Sequence, residues 1–162
     1  MSLLSTDQDF SVRKAIETDE PQILTLLPYL ADFDYPPRRD STDLWSGDVD
    51  VAKAILTGKT DASFIDVVTD RNDQIVGLMM VTLRDEMLSH APSAHLEAIA
   101  LAPSARGTGL GKRLMKHCET RVRELGAASL TLHVFNRNER ARSLYASEGF
   151  DEELIRAIKW LD

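Results

Sequence analysis

The sequence contains a single cysteine, Cys118, among its 162 residues. One thiol cannot form an internal disulfide, and it offers no Cys-x-x-Cys pair for a metal. No apolar run approaches the roughly 20 residues that a membrane-spanning helix needs. The N-terminus also lacks the basic segment followed by an apolar run that is typical of a secretory signal. These absences favour a cytoplasmic protein outside the membrane, and no His, Asp or Glu cluster with metal-ligand spacing predicts a metal site.

An excess of basic residues is also missing, because 19 Lys and Arg stand against 26 Asp and Glu, for a formal net charge of −7. A general nucleic-acid binder would carry a basic surface, so we expect no nucleic-acid partner. The charge is uneven, however. Residues 31–50 carry six aspartates against two arginines, and residues 104–125 carry six Lys or Arg against two glutamates. One region suits a cation and the other an anion, although ordinary solvated surface explains either run alone equally well.

No repeat, low-complexity tract or linker divides the chain, so we expect one domain over residues 1–162. Apolar periodicity and turn signals predict both helices and strands. The predicted strands are Phe10–Lys14, Ala62–Thr69, Ile75–Leu83, His95–Leu101, Leu130–Val134 and Leu154–Leu161. The predicted helices run from Thr18 toward Pro28, over Thr42–Leu56, over Gly109–Leu125 and over Glu139–Glu148, with loops at Phe33–Asp40 and Arg84–Ser93. This order is typical of a mixed α/β sheet.

A glycine-rich turn joins the strand His95–Leu101 to the helix that begins near Gly109. Such a turn directs the unpaired N–H groups of the helix start, and the positive end of its dipole, at whatever occupies the turn. Three glycines, at 107, 109 and 111, allow the backbone to approach a bulky group closely. Arg106, Lys112 and Arg113 add full positive charges. The segment therefore predicts an anion site of the kind that binds phosphate.

Two common phosphate loops do not fit this turn. A P-loop requires Ser or Thr after its Gly-Lys pair, whereas Gly111-Lys112 is followed by Arg113, so magnesium would lack its hydroxyl ligand. A dinucleotide-binding loop reads G-x-G-x-x-G early in the chain, whereas this turn reads G-x-G-x-G and comes late. Neither an NTPase nor a dinucleotide enzyme is expected.

The turn resembles the acyl-CoA loop Q/R-x-x-G-x-G/A of the GNAT family of N-acetyltransferases, which Arg106, Gly109 and Gly111 match. A second family element, roughly N-x-x-A-x-x-x-Y-x-x-x-G-F, is met downstream by Asn138, Ala141, Tyr145, Gly149 and Phe150. The resemblance is specific over residues 94–150 and only topological before that. It implies the GNAT fold, a single layer of mostly antiparallel strands with helices on both faces, and it implies acetyl-CoA as co-substrate.

The resemblance also implies roles for individual residues. Backbone groups of Ile99, Ala100 and Leu101 would pair with the pantetheine arm where the fourth strand splays from the fifth. The pyrophosphate would lie on the loop formed by Arg106, Gly107, Thr108, Gly109, Leu110, Gly111 and Lys112. Tyr145 matches the tyrosine that protonates the departing thiolate, although an aromatic packed under a helix is the alternative. Asn138 would contact the pantetheine arm or cap the helix Glu139–Glu148.

An alkylammonium must lose a proton before it can attack a thioester, and a positioned carboxylate supplies the base. Glu97 lies where many GNAT relatives carry an acid, although a strand carboxylate can equally be structural. Strand alternation predicts that His95, Glu97 and Ile99 share one side. His95 and His133 are the alternative bases, and Cys118 falls on the apolar stripe of its helix, so we interpret it as core.

The acceptor side of the GNAT fold would include Phe33, Tyr35 and Trp45 among the six aspartates, which suits a cationic amine. The sequence thus predicts an N-acetyltransferase that attaches acetyl to a small, cationic primary amine by direct attack in a ternary complex. A protein N-terminal or lysine acetyltransferase, or an acetyl-CoA sensor without turnover, are the alternatives. A homodimer is expected only at the level of the family.

Overall fold

The computed structural model describes residues 9–162. Within that range the chain forms five strands and four helices. The strands are β1 (Ser11–Lys14), β2 (Ser63–Thr69), β3 (Ile75–Asp85), β4 (Pro92–Leu101) and β5 (Leu130–Leu132). The helices are α1 (Glu20–Leu26), α2 (Ser46–Leu56), α3 (Leu110–Glu124) and α4 (Glu139–Ser147). Short 3-10 turns lie at Glu17–Asp19, Leu27–Ala31, Ser41–Leu44 and Pro103–Ala105.

The five strands form one sheet in the order β1-β2-β3-β4-β5. Neighbours from β1 to β4 pair antiparallel, and β5 pairs parallel with β4. Parallel neighbours need a long crossover, and α3 provides it between β4 and β5. The predicted fold class, a mostly antiparallel mixed sheet with helices on both faces, is confirmed.

Each face of the sheet carries its own apolar cluster. Helices α1 and α2 cover one face, where Ile23, Leu27 and Ala52 pack with Leu78 and Met80 of β3. Helices α3 and α4 cover the other face. The larger cluster there consists of Phe64, Met79, Val81, Ala94, Leu96, Met115, Cys118, Val122 and Tyr145. A smaller cluster at the start of α3 consists of Val68, Val76, Ala105, Leu110 and Leu114. Strand β4 lies between the two clusters and contributes side chains to both, so it can connect sites on opposite faces.

A buried carboxylate fixes α3 across the sheet. Asp66 of β2 is fully buried, and its two oxygens accept bonds from Arg121 Nη1 at 2.5 and 2.6 Å. His117 Nε2 lies 2.9 Å from the same carboxylate. A buried charge without partners would be strongly destabilising, so these two residues of α3 must face β2. The contact orients the helix whose first turn carries the glycine loop.

Several boundaries differ from the sequence prediction. The region predicted as one helix, Thr42–Leu56, begins as a 3-10 turn and continues as α2 only after Trp45, whose φ of −142° is not helical. The predicted loop Arg84–Ser93 is shorter, because β3 and β4 extend into a hairpin and leave only Glu86–Ala91 between them. In that hairpin the Glu86 carboxylate accepts the N–H groups of Leu88 and Ser89.

The predicted final strand, Leu154–Leu161, is wrong. Residues 151–162 have no regular secondary structure and are exposed throughout. A strand needs a neighbouring edge to satisfy its backbone groups, and within the described chain this segment pairs with none. Among residues 9–162, no helix combines the length and apolar character that crossing a membrane would require.

Candidate active site

The glycine loop lies between the 3-10 turn that ends β4 and the first turn of α3. Gly107 and Gly109 both adopt left-handed backbone conformations, with φ of 73° and 80°. A Cβ atom built on either residue would have no heavy atom within 4 Å, so the loop is open on that side. No side chain caps the start of α3. The first N–H groups of the helix therefore have no side-chain cap and start at a loop that is open to solvent, which suits an anion.

Gly111 and Thr108 each have a structural role in the loop. A Cβ on Gly111 would lie 3.3 Å from Leu144 Cδ2 and 3.9 Å from Leu101 Cδ1, so glycine allows α3 to pack closely against α4 and β4. The Thr108 hydroxyl donates to the Ala105 carbonyl at 2.6 Å and closes the loop on itself. The third glycine of the motif thus serves helix packing, and the first two provide the open turn.

The three cationic side chains predicted for this loop are placed differently from one another. Arg106 Nη1 lies 2.5 Å from Asp32 Oδ2, and its guanidinium lies over the Tyr29 ring at 5.5 Å. Arg113 Nη1 donates to the Phe10 carbonyl at 3.1 Å. Lys112 is exposed and forms no ion pair with any residue from 9 to 162. Arg106 must leave Asp32, or bridge to it, before its charge serves an anion in the loop.

A β-bulge interrupts β4 at Glu97. The pairing with β3 passes from Met80 opposite Ala98 to Val81 opposite Leu96, which leaves Glu97 without a partner. Bulges occur preferentially beside active sites, where they redirect side chains and interrupt pairing. Here the bulge puts a carboxylate, on a residue without a partner in the register, at the middle of the strand.

The bulge also overturns the predicted alternation. Ala98 and Ala100 pack in the cluster under α1 and α2. Leu96 and Ile99 pack in the cluster under α3 and α4. Even- and odd-numbered residues exchange faces at Glu97, because the bulge adds one residue to the strand. The prediction that His95, Glu97 and Ile99 share one side is therefore wrong for Ile99.

Beyond the bulge, β4 has an open edge on the β5 side. The two strands pair only from Ala94 opposite Leu130 to Leu96 opposite Leu132. Along residues 97–101, β4 has no strand partner on that side within the described chain. The backbone positions predicted for the pantetheine arm, Ile99, Ala100 and Leu101, lie on this segment. An extended ligand that carries amides could satisfy these edge groups as a strand would.

Tyr145 and Asn138 come from the helix that flanks this opening. Tyr145 on α4 is 9% exposed, and its ring meets Phe150 edge-on at 5.8 Å. Burial alone raises the pKa of Tyr145 to about 12, so its phenol keeps its proton at neutral pH. Asn138 Oδ1 accepts the Ala141 N–H at 3.2 Å, which confirms that it caps α4.

A second carboxylate near Glu97 was not singled out from the sequence. Asp48 lies in α2 and is half-buried. Burial, and secondly the negative charge of Glu97, raise the pKa of Asp48 to about 6. The sequence does carry a signal, because Asp48 falls on the same side of the helix as Trp45, Val49 and Ala52, which form its apolar stripe. An acid on the buried side of a helix is unusual unless it has a role.

Two aspartates of the acidic loop before α2 pair with arginines. Asp32 pairs with Arg106, which lowers the pKa of that carboxyl. Arg137 donates Nε to the Asp34 carbonyl at 2.8 Å and pairs with the Asp34 carboxylate. Asp43 Oδ2 also accepts the Asp40 N–H at 3.0 Å, so three of the six aspartates that the sequence suggests for a cationic acceptor are engaged by the chain itself. Among the described residues, none forms such a contact with the Asp48 carboxylate.

The aromatic residues predicted for the acceptor side are only partly brought together. Phe33 lies 6.3 Å from Tyr35 and 5.6 Å from Phe135, measured between ring centroids. Trp45 instead packs at the margin of the cluster under α1 and α2. The first pair lies beside the Asp34–Arg137 contact, and Trp45 lies three residues before Asp48 on the chain.

His95 and Cys118 are buried, and their contacts are those of structural residues. His95 Nδ1 lies 2.8 Å from the Thr131 hydroxyl, and its ring lies 4.7 Å from that of His133. Burial, with a smaller effect from Arg84, lowers the pKa of His95 to about 4, so its ring is neutral near pH 7. Burial raises the pKa of the Cys118 thiol to about 12, in keeping with its predicted place in the core. In the described part of the chain, no group of three or more His, Cys, Asp or Glu could hold a metal ion.

Known proteins are similar to this chain in sequence. Mycothiol acetyltransferase of Renibacterium salmoninarum is 28% identical over 132 residues, which cover 82% of this chain and 38% of that protein. The peptidyl-lysine N-acetyltransferase YjaB of Salmonella typhimurium is 28% identical over 109 residues, covering 66% of this chain and 72% of that protein. The chain thus spans well under half the length of the first relative and most of the second.

Solved structures share the fold. An aminoglycoside acetyltransferase from an uncultured soil metagenomic sample superposes with a TM-score of 0.71 at 18% identity, covering 98% of this chain and all of that one. At this identity the likeness extends to the fold alone. The model of the acetyltransferase (GNAT) family matches residues 27–150, which include the glycine loop, the bulged strand and Tyr145. The chain belongs to the GNAT acetyltransferase family.

Proposed function

We propose that this chain is an acetyl-CoA-dependent N-acetyltransferase that transfers acetyl to the primary amine of a small, cationic acceptor. One observation carries the proposal. Strand β4 offers an open edge beyond Leu96, and the bulge at Glu97 puts a carboxylate on the same strand, close enough to Asp48 of α2 to influence its charge. Donor and acceptor would therefore meet at one short segment of β4.

The donor would lie along the open edge and end at the glycine loop. The N–H and C=O groups of Ile99, Ala100 and Leu101 would bond the amides of the pantetheine arm. The pyrophosphate would lie on the N–H groups of Gly109, Leu110, Gly111 and Lys112, with the charges of Lys112 and Arg106 beside it. The absence of a capping side chain at the start of α3 supports this arrangement, because the N–H groups are available.

The reaction we propose is direct attack of the amine on the thioester carbonyl in a ternary complex. Glu97 accepts a proton from the acceptor ammonium, directly or through a water, and the freed amine forms the new C–N bond. A backbone N–H at the bulge donates to the carbonyl oxygen as negative charge develops on it. When the C–S bond breaks, the phenol of Tyr145 gives its proton to the sulfur, a role that its protonated state at neutral pH supports. The nitrogen, which still carries one proton more than an amide, loses that proton to the Tyr145 phenolate directly or through water, and Glu97 releases its proton to solvent.

The acceptor class follows from the two carboxylates. Burial, and to a smaller extent the negative charge of Glu97 on β4, raise the pKa of Asp48 on α2, and a cation bound near both carboxylates would offset that charge. A polyamine, an amino sugar or an aminoglycoside carries both a reacting amine and further positive charge. Relatives named for acetylation of mycothiol and of aminoglycosides support a small acceptor.

A protein lysine is the second candidate acceptor, and the relative named as a peptidyl-lysine acetyltransferase favours it. Thiol release from acetyl-CoA, measured against a panel of polyamines, aminoglycosides and lysine peptides, separates the two. Release with small polyamines or aminoglycosides is the expected result, whereas release with peptides alone would overturn the proposed acceptor. If acetyl-CoA binds tightly and no amine in the panel causes release, the chain is a sensor and the enzyme proposal fails.

A further inference from the structure

A row of polar side chains crosses the sheet beside the apolar cluster that α1 and α2 cover. Ser63 of β2 lies opposite Thr82 of β3, and Thr82 lies opposite His95 of β4. His95 in turn lies opposite Thr131 of β5. Residues directly opposite each other in a sheet project from the same face, so these four side chains share one face. We call them the polar row.

The polar row lies on the face of the sheet that α2 covers with Asp48. The next positions along β2 and β3 on that face, Ile65 and Met80, belong to the apolar cluster under α1 and α2. On β4 the bulge at Glu97 comes between the two rows. Glu97 lies close enough to Asp48 and to His95 for its charge to influence both. The apolar cluster therefore ends, and the polar row begins, at the proposed point of reaction.

In the function proposed above, the two halves of β4 serve different ligands. The acetyl donor would lie along residues 97–101 and end at the glycine loop. The acceptor amine must then reach Glu97 from the other half of the strand. His95 is the first residue of that half on the same face as Glu97, so the rest of the acceptor would lie over the polar row.

One ring nitrogen of His95 is held by the sheet. Nδ1 lies 2.8 Å from the Thr131 hydroxyl, which itself donates to the Ala94 carbonyl at 3.4 Å. Because that hydroxyl has a single proton and donates it to Ala94, it accepts from His95, and the ring proton is on Nδ1. Burial, with a smaller effect from Arg84, lowers the pKa of His95 to about 4. Near neutral pH, Nε2 is therefore unprotonated and can only accept a hydrogen bond.

The second ring nitrogen of His95 has no partner. Although the residue is only 4% exposed, no group of residues 9–162 forms a hydrogen bond with its Nε2. Nε2 is also not one of the described chain's side-chain atoms that are sealed from solvent without a partner. It therefore reaches solvent, where a donor from outside the chain can bond it. Buried polar groups are normally satisfied, so this lone pair requires an explanation.

The hydroxyls of Ser63 and Thr82 extend this hydrogen-bonding surface. They bond each other at 2.8 Å, and both residues are half-buried. A hydroxyl donates once and accepts twice, so after this bond one of the two still has a proton that no group of residues 9–162 accepts. The row thus offers a lone pair on His95 and a hydroxyl proton on the neighbouring strands. Another hydroxyl group, which both donates and accepts, matches this pair.

The charges around the polar row favour a neutral donor over a second ammonium. Asp48 and Glu97 already serve the reacting amine in the proposed site, and the four residues of the row carry no charge. Arg84 lies two residues after Thr82 on β3 and close enough to His95 for its charge to influence the ring. An ammonium over the row would leave water without a carboxylate partner and beside a like charge, which is unfavourable. A hydroxyl avoids both costs.

We propose, on the basis of the function proposed above, that the acceptor is an amine that carries hydroxyl groups, of the amino-sugar class, and that one of these hydroxyls donates to Nε2 of His95. His95 is then a specificity-determining residue that contacts the acceptor and takes no part in the proton transfers. His95 and Glu97 are two residues apart on a strand, about 7 Å, so the hydroxyl and the reacting amine are on different parts of the acceptor. Opposite positions of a six-membered ring meet this requirement.

Three cyclohexane amines test the proposal by thiol release from acetyl-CoA. Cyclohexylamine carries the amine alone, trans-4-aminocyclohexanol adds a hydroxyl across the ring, and trans-1,4-diaminocyclohexane adds an ammonium at the same place. In the wild-type protein we expect kcat/KM to be about 3- to 10-fold higher for the aminocyclohexanol than for cyclohexylamine, the range for one neutral hydrogen bond. The diamine should show no such increase per amine. A ratio below about 2, or an equal increase with the diamine, would overturn the proposal.

Two variants of His95 locate the contact. Asparagine places its amide where Nδ1 lies, and glutamine places its amide where Nε2 lies. His95→Asn therefore keeps a donor for Thr131 and loses the outer acceptor, whereas His95→Gln does the reverse. We expect the preference for the hydroxyl to vanish in His95→Asn and to persist in His95→Gln. A purely structural role would slow all three amines equally, so persistence in His95→Asn, or loss in His95→Gln, would overturn the assignment of His95.

Thr57→Val is the matched control, because it removes an exposed hydroxyl at the end of α2. It should change neither the rates nor the preference. Thermal unfolding and the affinity for acetyl-CoA check that each variant is folded and keeps its donor site.

The outcomes distinguish the hydroxylated acceptor from the proposed function itself. If neither these amines nor the polyamines, aminoglycosides and lysine peptides release thiol, the proposed function fails. If polyamines react as well as or better than hydroxylated amines, the enzyme stands and the hydroxylated acceptor is wrong. If the ring amines are inert, the ratio of aminoglycoside to polyamine, in wild type and in both His95 variants, is interpreted in the same way.

Discussion

The guanidinium of Arg106, the first residue of the glycine loop motif, lies 2.5 Å from the carboxylate of Asp32. Asp32 belongs to the acidic loop that precedes α2, so the contact links the donor side of the proposed site to the acceptor side. The hydrogen bond from Arg106 lowers the pKa of Asp32. An anion bound at the loop would compete with Asp32 for the same guanidinium, so loss of Arg106 should weaken binding of CoA and loss of the Asp32 charge should not.

Replacing Arg106 with Ala should weaken CoA binding by about 10- to 100-fold, the range for a hydrogen bond to a charged group. Replacing Asp32 with Asn should leave binding unchanged or tighten it up to about 5-fold, because an exposed ion pair that competes with the ligand is lost. Isothermal titration calorimetry with CoA measures both. Asp34→Asn, which removes the neighbouring pair with Arg137, is the matched control and should change nothing. Equal loss of affinity in the Asp32 and Arg106 variants would show that the pair itself shapes the site.

Gly109→Val should abolish detectable CoA binding. The residue has a φ of 80°, a conformation that a β-branched residue adopts only with strain, and its side chain would project into the open side of the loop. Gly58→Val is a close control, because Gly58 has a φ of 71° and equally open space but lies after α2. Both variants should lose a similar amount of stability, about 1–3 kcal/mol. Retention of CoA binding by folded Gly109→Val would remove the loop from the proposed site.

The loop could be predicted because its signal is local. Glycines at fixed spacing between an apolar strand and an amphipathic helix predict an open turn at the start of the helix, which the left-handed conformations of Gly107 and Gly109 confirm. Tyr145 and Asn138 follow at fixed spacing. The α3 stripe likewise predicted Leu110–Glu124 to within one residue at each end. Predictions of this kind need no knowledge of which strands are neighbours.

Two features could not be predicted in the same way. They are the bulge at Glu97 and the lack of regular secondary structure in residues 151–162. A bulge is a mismatch between two strands, Met80–Val81 against Leu96–Ala98, and neither strand alone carries it. Strict alternation of side chains along β4 therefore predicts the wrong face of the sheet for Ile99. Residues 154–161 have the composition of a strand, but composition does not show whether the edge of another strand lies beside them. The effect of the Glu97 charge on Asp48 depends on how α2 lies relative to β4, which is also a long-range property.

Tyr145→Phe should leave the affinity for acetyl-CoA unchanged and slow turnover by at least about 10²-fold, the lower end for general acid catalysis. The ring packs against Phe150, and phenylalanine keeps that packing. Burial raises the pKa of Tyr145 to about 12. Ionisation of this phenol should therefore cause no decrease in wild-type activity at any pH up to about 10. Steady-state thiol release across pH measures the rate, and equilibrium binding of acetyl-CoA provides the internal control. An unchanged kcat would assign Tyr145 to packing alone.

Asp48→Asn should raise the free energy of unfolding at pH 7 by about 1–3 kcal/mol. The folded-state pKa of Asp48 is about 6 against an ordinary value of 3.8, so the folded chain holds this proton more tightly than the unfolded chain. Each unit of difference corresponds to about 1.4 kcal/mol. Because the charged form is disfavoured, the wild-type protein should lose this stability as pH rises from about 4 to 6. The asparagine variant should lack that loss, and urea unfolding over this pH range measures it.

Asp50→Asn is the matched control for Asp48, because Asp50 is exposed on the same helix. It should change neither the stability nor its pH dependence by more than about 0.5 kcal/mol. Asp48→Asn should also lower kcat/KM for a cationic amine, since one of the two carboxylates near the attacking nitrogen is lost. A loss of stability caused by burying one acid, with a second acid nearby, is expected at a site that we propose binds a cation. If Asp48→Asn raises the free energy of unfolding by the same amount at pH 4 as at pH 7, the gain does not come from removing a buried negative charge. That result would contradict the raised pKa of Asp48 and the proposed role of the two carboxylates.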